Sequence, residues 1–273
     1  MAPHGRTVAV ITGERQRRGI GRPFAVELRD LYSGKVKRTI IRAGAISAGI
    51  YSLSWSRDGA LLATGSGDGL ARVWDVRTGR RIASLRAGGG AGALEFSPDG
   101  KLLASVGDNS AVGSSLKLWQ WRQKKLLRST GFGAYSIYAK LTFSPSGKRL
   151  AVGNTFTGRT TLFDIKHLRW VQQLPIPFQS QIMSGFLMPK VAFSGDGRLM
   201  AFVGSNEVVV RNTASRRALM RYKLKQSTDY HVLALQFSQK AQLRWVTVQY
   251  QYQEDNGSGD WGLFAPKICN ARF

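Results

Sequence analysis

The chain has 273 residues, 43% of them hydrophobic and 31 of them glycine, a composition that excludes an intrinsically disordered protein. It carries 40 Lys and Arg against 16 Asp and Glu, for a formal net charge of +24, and a single cysteine. One cysteine excludes an internal disulfide and a cysteine-rich zinc site. The charge favours an anionic partner such as nucleic acid, an anionic membrane surface or an acidic protein.

A turn motif returns along the whole chain. Its copies WSRDG, FSPDG, FSPSG and FSGDG end at Gly59, Gly100, Gly147 and Gly197, and the N-terminal segment ending at Gly5 fits a copy without its first strand. A degenerate copy, FSQKA, lies near Lys240. Successive glycines are 54, 41, 47 and 50 residues apart, the spacing of repeats with four strands each. Pro presets φ, Asp bonds its own backbone and Gly supplies a positive φ, so each motif predicts a tight hairpin.

Each turn is followed by an apolar run of the LLATG or RLAVG type and then by a third strand with a recurring end. The best third strands are ARVWDVRTGRR from Ala71 and FAVELRDLYSGK from Phe24. Their β-branched and aromatic residues, alternating or in apolar runs, predict strands throughout the chain. Repeats are expected to start near residues 1, 50, 92, 138, 190 and 232.

These motifs carry a resemblance that covers essentially the whole chain, which looks like a WD-repeat β-propeller. The resemblance implies an all-β fold: one domain, residues 1–273, of about six four-stranded blades, the first without its innermost strand. It also implies an internal hydrogen-bonded cluster with a structural role, at Thr64, Asp68, Trp74, Ser105, Asp108 and Trp119. The Gly-His dipeptide of the family is absent, so packing is expected to hold the repeats more than this network does.

Closure of the first repeat is a separate question, because propellers usually close by pairing strands from the two chain ends. The C-terminal segment ICNARF, from Ile268, is expected to supply the missing innermost strand. A strand from a partner chain, an open ring and a chain that is the tail of a longer protein are the alternatives.

Basic residues are predicted to contact the anionic partner. One cluster lies in the loop between the predicted second and third strands of the first repeat, with glycines interspersed, and is expected to fold onto phosphates. Others fall beside the fourth, outermost strands, where charge also blocks unwanted edge pairing. The residues assigned to this partner are Arg15, Arg17, Arg18, Arg22, Lys124, Lys125, Arg216 and Arg217.

The connection from Leu174 to Pro189 is long, uncharged and apolar. Exposed, it would form a protein-partner loop; the alternative is a loop folded back over the propeller. Its three prolines argue against a membrane span. The residues assigned to the protein-partner loop are Ile176, Phe178, Ile182, Met183 and Phe186.

No catalytic pattern is visible, since the three histidines are far apart and neither a metal-ligand spacing nor a phosphate-binding loop occurs. No catalytic residue, cofactor or metal is expected. The sequence predicts a non-enzymatic scaffold of a larger assembly, with other proteins as partners and RNA or a ribonucleoprotein as the anionic one. The alternatives are an adaptor for an acidic protein, and an enzyme or ligand binder that uses the central channel. No signal peptide or transmembrane segment is visible, so a cytoplasmic location is expected, with peripheral contact to an anionic membrane left open.

Overall fold

The structure is a computed structural model, and it describes residues 5–13, 24–42, 45–46, 48–109, 113–131, 139–153, 160–174, 191–203, 207–223, 230–237, 243–253, 260–263 and 267–271. In these ranges the chain forms 23 strands and a 3₁₀ turn at Trp121–Gln123. Two compact units divide the chain. The first comprises Met1–Leu141 and Ile165–Arg169, and the second Thr142–Asp164 and Trp170–Phe273.

Three antiparallel sheets lie in the first unit. Its strands are β1 (Thr7–Thr12), β2 (Ala25–Asp30), β3 (Val36–Ile41), β4 (Ile50–Trp55), β5 (Leu61–Ser66), β6 (Leu70–Asp75), β7 (Arg81–Arg86), β8 (Ala91–Phe96), β9 (Leu103–Asn109), β10 (Gly113–Gln120) and β11 (Lys125–Gly131). They pair in the orders β1-β2-β3, β4-β5-β6-β7 and β8-β9-β10-β11. Strands that follow one another in the chain are therefore neighbours, and β3, β7 and β11 are edge strands.

Three further sheets are built from the remaining described strands. These are β12 (Lys140–Phe143), β13 (Arg149–Gly153), β14 (Thr160–Asp164), β15 (Arg169–Leu174), β16 (Val191–Phe193), β17 (Leu199–Val203), β18 (Glu207–Asn212), β19 (Ala218–Lys223), β20 (Tyr230–Phe237), β21 (Leu243–Gln253), β22 (Asp260–Leu263) and β23 (Lys267–Ala271). The orders β12-β13-β14-β15 and β16-β17-β18-β19 repeat the same meander, which makes β19 an edge strand. In the last sheet β21 pairs with β20, β22 and β23.

The C-terminal segment joins the last sheet and not the first. β23 pairs with the first half of β21, up to Thr247, and β22 pairs with its last four residues, from Tyr250. Because β21 has 11 residues, it can hold both short strands in succession. The expectation that the segment from Ile268 completes the first sheet is therefore wrong: in the described part of the chain that sheet contains β1, β2 and β3. Pairing with a strand nearby in the sequence closes a shorter loop and costs less chain entropy.

In four sheets a buried serine stabilises the turn between the first and second strands, which we call the first turn. Between β8 and β9, the Ser97 hydroxyl donates to Asp99 Oδ1 at 2.6 Å and accepts from the amide of Leu102 at 2.9 Å. The amide of Gly100, whose φ is 68°, donates to the Ser97 carbonyl at 2.8 Å. The hydroxyl accepts the corresponding amide proton in three further turns, at Ser56, Ser144 and Ser194.

Apolar clusters pack the sheets together within each unit. In the first unit one cluster joins the β1–β3 sheet to the β4–β7 sheet and includes Ile41 and Leu62. Another joins the β4–β7 sheet to the β8–β11 sheet and includes Leu85 and Trp121. In the second unit a cluster around Phe202 connects residues of β13, β14, β16, β17 and β18. Burial of these side chains is the main favourable term in folding.

We expect Ser97→Ala to lower the free energy of unfolding by about 1 kcal/mol, because it leaves the partly buried amide of Leu102 without its acceptor. Ser146→Asp should do the opposite and raise it by about 0.5–1 kcal/mol, since Ser146 stands where three other turns have Asp, and its hydroxyl lies 3.2 Å from that of Ser144. Urea titration of each variant measures both changes. Equal stability of Ser97→Ala and the parent would contradict the role given to the serine.

The turn before the last strand of a sheet takes a residue in the left-handed backbone region. Gly34 and Gly79 have φ of 68° and 72° there, and Lys124, Leu168 and Arg216 have φ of 54°, 49° and 61°. A side chain in this region costs about 1–2 kcal/mol. The turn that contains Arg216 therefore stores strain that the turn containing Gly79 avoids.

Arg216→Gly is expected to raise the free energy of unfolding by about 0.5–1 kcal/mol, because relief of this strain exceeds the added chain entropy of glycine. Gly79→Ala should lower it by about 1 kcal/mol for backbone reasons alone, since its Cβ would lie 3.5 Å from the nearest atom, Arg38 Cδ. Leu168→Gly is the control: Leu168 is 5% exposed, so its loss of packing should outweigh the strain relieved. Denaturant titrations that rank Arg216→Gly below the parent would contradict the strain argument.

Candidate interaction surface: the basic edge strands

Four segments built around edge strands concentrate positive charge. We call residues 35–42, 77–86, 121–131 and 214–223, which contain β3, β7, β11 and β19, the basic edge segments. Their 39 residues carry 16 of the 40 Lys and Arg and none of the 16 Asp and Glu. Charged side chains on a free sheet edge oppose pairing with another strand of the same charge. An acidic or phosphorylated partner meets no such repulsion.

All sixteen cations of the basic edge segments have exposed side chains. Lys124 lies in the turn before β11 and Lys125 begins that strand, and Arg216 and Arg217 lie in the turn before β19. In the part of the chain that the structure describes, two of the sixteen form ion pairs. Lys37 lies 3.0 Å from Asp30, and Arg221 lies 2.6 Å from Glu207. The others keep their charge available to a partner.

Large exposed apolar side chains fall on the same edges. Of nine such side chains among the described residues, six lie within the basic edge segments, and two more lie in the turn just before the first segment. The eight are Leu31, Tyr32, Val36, Ile82, Leu126, Leu127, Leu219 and Tyr222. The edges therefore combine cations with apolar surface, a combination found where proteins bind other proteins.

The carboxylates next to these segments have structural roles. Asp30 Oδ1 accepts from the amide of Ser33 at 3.0 Å, and this bond, with help from Lys37, holds the pKa of Asp30 well below its usual range. Hydrogen bonds from the hydroxyl and amide of Thr78 lower the pKa of Asp75 in the same way. Both groups stay ionised and close the turns that lead into β3 and β7. Among the described residues, Asp30 pairs with one cation of the basic edge segments, Lys37.

Two groups of predicted site residues lie outside the described residues. They are the basic cluster Arg15, Arg17, Arg18 and Arg22, and the protein-partner loop Ile176, Phe178, Ile182, Met183 and Phe186. Elsewhere, the described side chains include no group of three or more His, Cys, Asp or Glu that could hold a metal ion. No helix in the described ranges is long and apolar enough to cross a membrane.

Residues 35–75 and 79–120 match the model of the WD domain, G-beta repeat. The chain carries WD repeats. The resemblance predicted from the sequence is thereby confirmed over these residues. The first match runs from β3 to the end of β6 and the second from the turn before β7 to the end of β10, so each WD repeat joins the last strand of one sheet to three strands of the next.

Curated relatives include other WD-repeat proteins. The chain is 30% identical over 165 residues to the WD repeat-containing protein VIP3 of Arabidopsis thaliana, covering 55% of this chain and 50% of VIP3. It is 36% identical over 115 residues to the small ribosomal subunit protein RACK1 of Caenorhabditis elegans, covering 39% and 34%. It is 30% identical over 131 residues to pre-mRNA-processing factor 19 of Oryza sativa subsp. japonica, covering 46% and 24%. The chain thus spans half or less of the length of these relatives.

Solved structures confirm the all-β propeller fold. A chain of Kuenenia stuttgartiensis hydrazine synthase superposes with a TM-score of 0.65 at 17% identity, over 91% of this chain and 75% of that one. A chain of the mitotic checkpoint complex superposes with a TM-score of 0.66 at 15% identity, over 95% and 73%. At this identity the likeness concerns the fold alone.

Within the two matched WD repeats, tryptophans of the third strand bond to hydroxyls of the second. Trp74 Nε1 donates to Thr64 Oγ1 at 3.0 Å, and Trp119 Nε1 donates to Ser105 Oγ at 2.9 Å. Both hydroxyl residues are fully buried. The side chain of Asp108 lies outside those that the structure describes. These bonds run inside the sheets, away from the exposed edges.

Arg72 bonds to Asp68 in the first matched WD repeat, a contact that sequence reasoning missed. Its Nη2 donates to Asp68 Oδ2 at 2.5 Å, and its Nη1 donates to Ser66 Oγ at 2.8 Å. Burial alone would raise the pKa of Asp68, but hydrogen bonds from Arg72 and Ser66 outweigh it and hold that pKa below its usual value. Strand periodicity could have placed Arg72 beside this cluster, because Arg72 lies two residues before Trp74 and so faces the same side of β6.

A partly buried carboxyl lies on β8. Glu95 Oε2 accepts a 3.4 Å hydrogen bond from Ser54 Oγ of β4. Burial raises the pKa of Glu95 to about 7, against the opposing effects of the Lys140 charge and of the Ser54 hydrogen bond. Near neutral pH, Glu95 is therefore partly protonated.

Glu95→Gln is expected to remove part of the pH dependence of stability. The pKa of Glu95 is about 7 in the folded state and 4.5 in the unfolded state. The folded state therefore binds more protons than the unfolded state. The contribution of Glu95 to stability is therefore complete below the unfolded value and is lost as pH rises through the folded one. Relative to the parent, Glu95→Gln should become more stable between about pH 5 and pH 8. Urea titrations at both pH values measure this difference, with Glu27→Gln as the control. An unchanged pH profile in Glu95→Gln would contradict the assignment.

Proposed function

We propose that this WD-repeat chain is a non-enzymatic scaffold of a larger assembly, and that its basic edge segments bind an anionic partner, with RNA or a ribonucleoprotein as the first candidate. Relatives named as a small ribosomal subunit protein and a pre-mRNA-processing factor support a protein-interaction scaffold. The observation that carries the anionic partner is the set of sixteen exposed cations without a single acidic residue in the same segments.

Counterion release is the physical basis of this binding. Exposed cations that neutralise phosphates release condensed counterions, which gives an affinity that depends steeply on salt and little on sequence. Carboxylates beside the segments pair with two of the sixteen cations, Lys37 and Arg221, in the described part of the chain. The same field speeds encounter with any polyanion. The basic cluster Arg15, Arg17, Arg18 and Arg22 is proposed as a further contact with this partner.

An acidic protein is the second candidate for the anionic partner, favoured by the apolar side chains on the edges. Leu126 and Leu127 are 41% and 39% exposed beside Lys125 and Arg128 on β11. A phosphate backbone leaves these leucines in water, whereas an acidic peptide can bury them with its own apolar side chains. The loop with Ile176, Phe178, Ile182, Met183 and Phe186 is proposed as a separate protein contact.

Three further expectations belong to the same proposal. They are a single domain over residues 1–273, about six blades, and a cytoplasmic location. Each stays a prediction that follows from the resemblance and the sequence.

We expect the full chain to bind a labelled single-stranded RNA of mixed sequence with an affinity that falls steeply as salt increases. Replacing Lys124, Lys125, Arg216 and Arg217 by Gln should make the negative slope of log affinity against log salt shallower, by about 0.7 for each lost phosphate contact. Fluorescence anisotropy across a salt series measures both slopes.

The matched control replaces four exposed cations of the first turns, Arg57, Lys101, Lys148 and Arg198, by Gln. It removes the same charge from outside the basic edge segments and should change the slope less. Equal slopes in the two variants would mean that the net charge acts without a defined surface. Absence of RNA binding at low salt would exclude RNA as the partner and leave the acidic protein as the candidate.

A further inference from the structure

Two basic edge segments meet at a cavity in the first unit. The cavity has a volume of about 310 Å³, and it lies where the end of β3 faces β6 and β7. Its apolar lining consists of Ile40, Ile41, Ala45, Ile46 and Trp74. The isoleucines are at most 8% exposed, so they form a fixed apolar floor. A volume of this size is at the lower end of the range of about 300–1,000 Å³ for ligand pockets.

Three arginines complete the lining of the cavity. Arg42 and Arg81 are exposed members of the segments 35–42 and 77–86, and neither pairs with a carboxylate among the described residues. Arg72 is 7% exposed and bonds to Asp68 through Nη1 and Nη2, while its buried Nε has no hydrogen-bond partner. One of the three guanidinium groups is thus paired with a carboxylate and two are not, so the cavity attracts an anion.

The lining selects for an anion that carries an apolar group. The Trp74 indole N–H is already bonded to Thr64, so Trp74 presents apolar ring surface to the cavity. Beside it the floor is aliphatic, which suits an aliphatic or aromatic side chain better than a nucleobase that needs partners for its polar edge. An exposed pair of arginines at the same site suits a carboxylate, which accepts charge-assisted hydrogen bonds from two guanidinium groups.

We propose that this cavity binds an acidic peptide segment of a protein partner, with a carboxylate between Arg42 and Arg81 and a neighbouring apolar side chain against the isoleucines and Trp74. The proposal rests on the second candidate of the proposed function, the acidic protein partner. It places one defined contact within an otherwise extended basic surface. RNA at the same cavity is the competing occupant.

The test uses the full chain and three labelled probes. The first is an eight-residue peptide of alternating Glu and Leu, the second has Ser in place of Leu, and the third is a single-stranded RNA of mixed sequence. Three variants accompany the parent. Arg42→Gln/Arg81→Gln removes the two exposed guanidinium groups, Arg77→Gln/Arg86→Gln removes the same charge from the same region outside the cavity, and Ala45→Phe fills the cavity without changing the charge. Ala45 is exposed and lines the cavity, so the added ring needs no space in the core.

The Glu-Leu peptide is expected to bind the parent more tightly than the Glu-Ser peptide, by about fivefold for the apolar contact. Arg42→Gln/Arg81→Gln should weaken the Glu-Leu peptide about tenfold, the effect of two partly exposed ion pairs, and Arg77→Gln/Arg86→Gln less than about threefold. Ala45→Phe should weaken the Glu-Leu peptide as much as the loss of the two arginines does.

Other outcomes separate this proposal from the proposed function. If both double variants weaken the peptide equally and Ala45→Phe binds it like the parent, the contact is diffuse; the cavity proposal is then overturned while an acidic partner stands. If Ala45→Phe weakens the RNA and leaves the peptide unaffected, the occupant is a nucleotide and the peptide proposal is wrong. If no probe binds at low salt, the anionic partner of the proposed function is itself excluded. Thermal unfolding of each variant checks that it folds.

Discussion

The buried serine of the first turn sets the register on which four sheets depend. Its hydroxyl accepts the amide proton of a residue five positions later. In three copies it also donates to the aspartate two positions later, and in the fourth the hydroxyls of Ser144 and Ser146 share a hydrogen bond. A slip of one residue would turn every side chain of the following strand to the opposite face. With the register fixed, the second strand buries its apolar residues, as β5 does from Leu61 to Ser66. The third strand then brings Trp74 to Thr64, and the last strand is left at the edge.

The turns also divide the charges of the chain. Asp58, Asp99 and Asp196 accept hydrogen bonds in first turns, and Asp30 and Asp75 do so in the turns before the last strand. Hydrogen bonding lowers the pKa of each of these five carboxyl groups, so they remain ionised as structural groups. None of the 16 acids of the chain lies in the basic edge segments. The basic edge segments thus present 16 of the 40 Lys and Arg of the chain, while these five carboxylates hold turns.

Turn chemistry made much of the fold predictable. Pro, Asp and Gly in the FSPDG motif act on the backbone within a few residues, so the hairpins and the apolar strands beside them could be read from the sequence. Lys124 and Arg216 could be placed near edge strands for the same reason. The serine of the motif and Arg72 were missed, because their importance comes from burial. A serine or an arginine in a sequence does not reveal whether water or a neighbouring strand will be its partner.

The sequence by itself determined the repeat, the turns, the strands and the total charge, because each of these depends on sterics, hydrogen bonds or composition over short stretches of chain. Tertiary structure decided which strand β23 joins, how deeply Glu95 is buried, and that Arg42 and Arg81 share a cavity although 39 residues separate them. Those outcomes depend on free-energy differences between alternative pairings and on desolvation by residues distant in the sequence. Neither quantity can be obtained from a local sequence pattern.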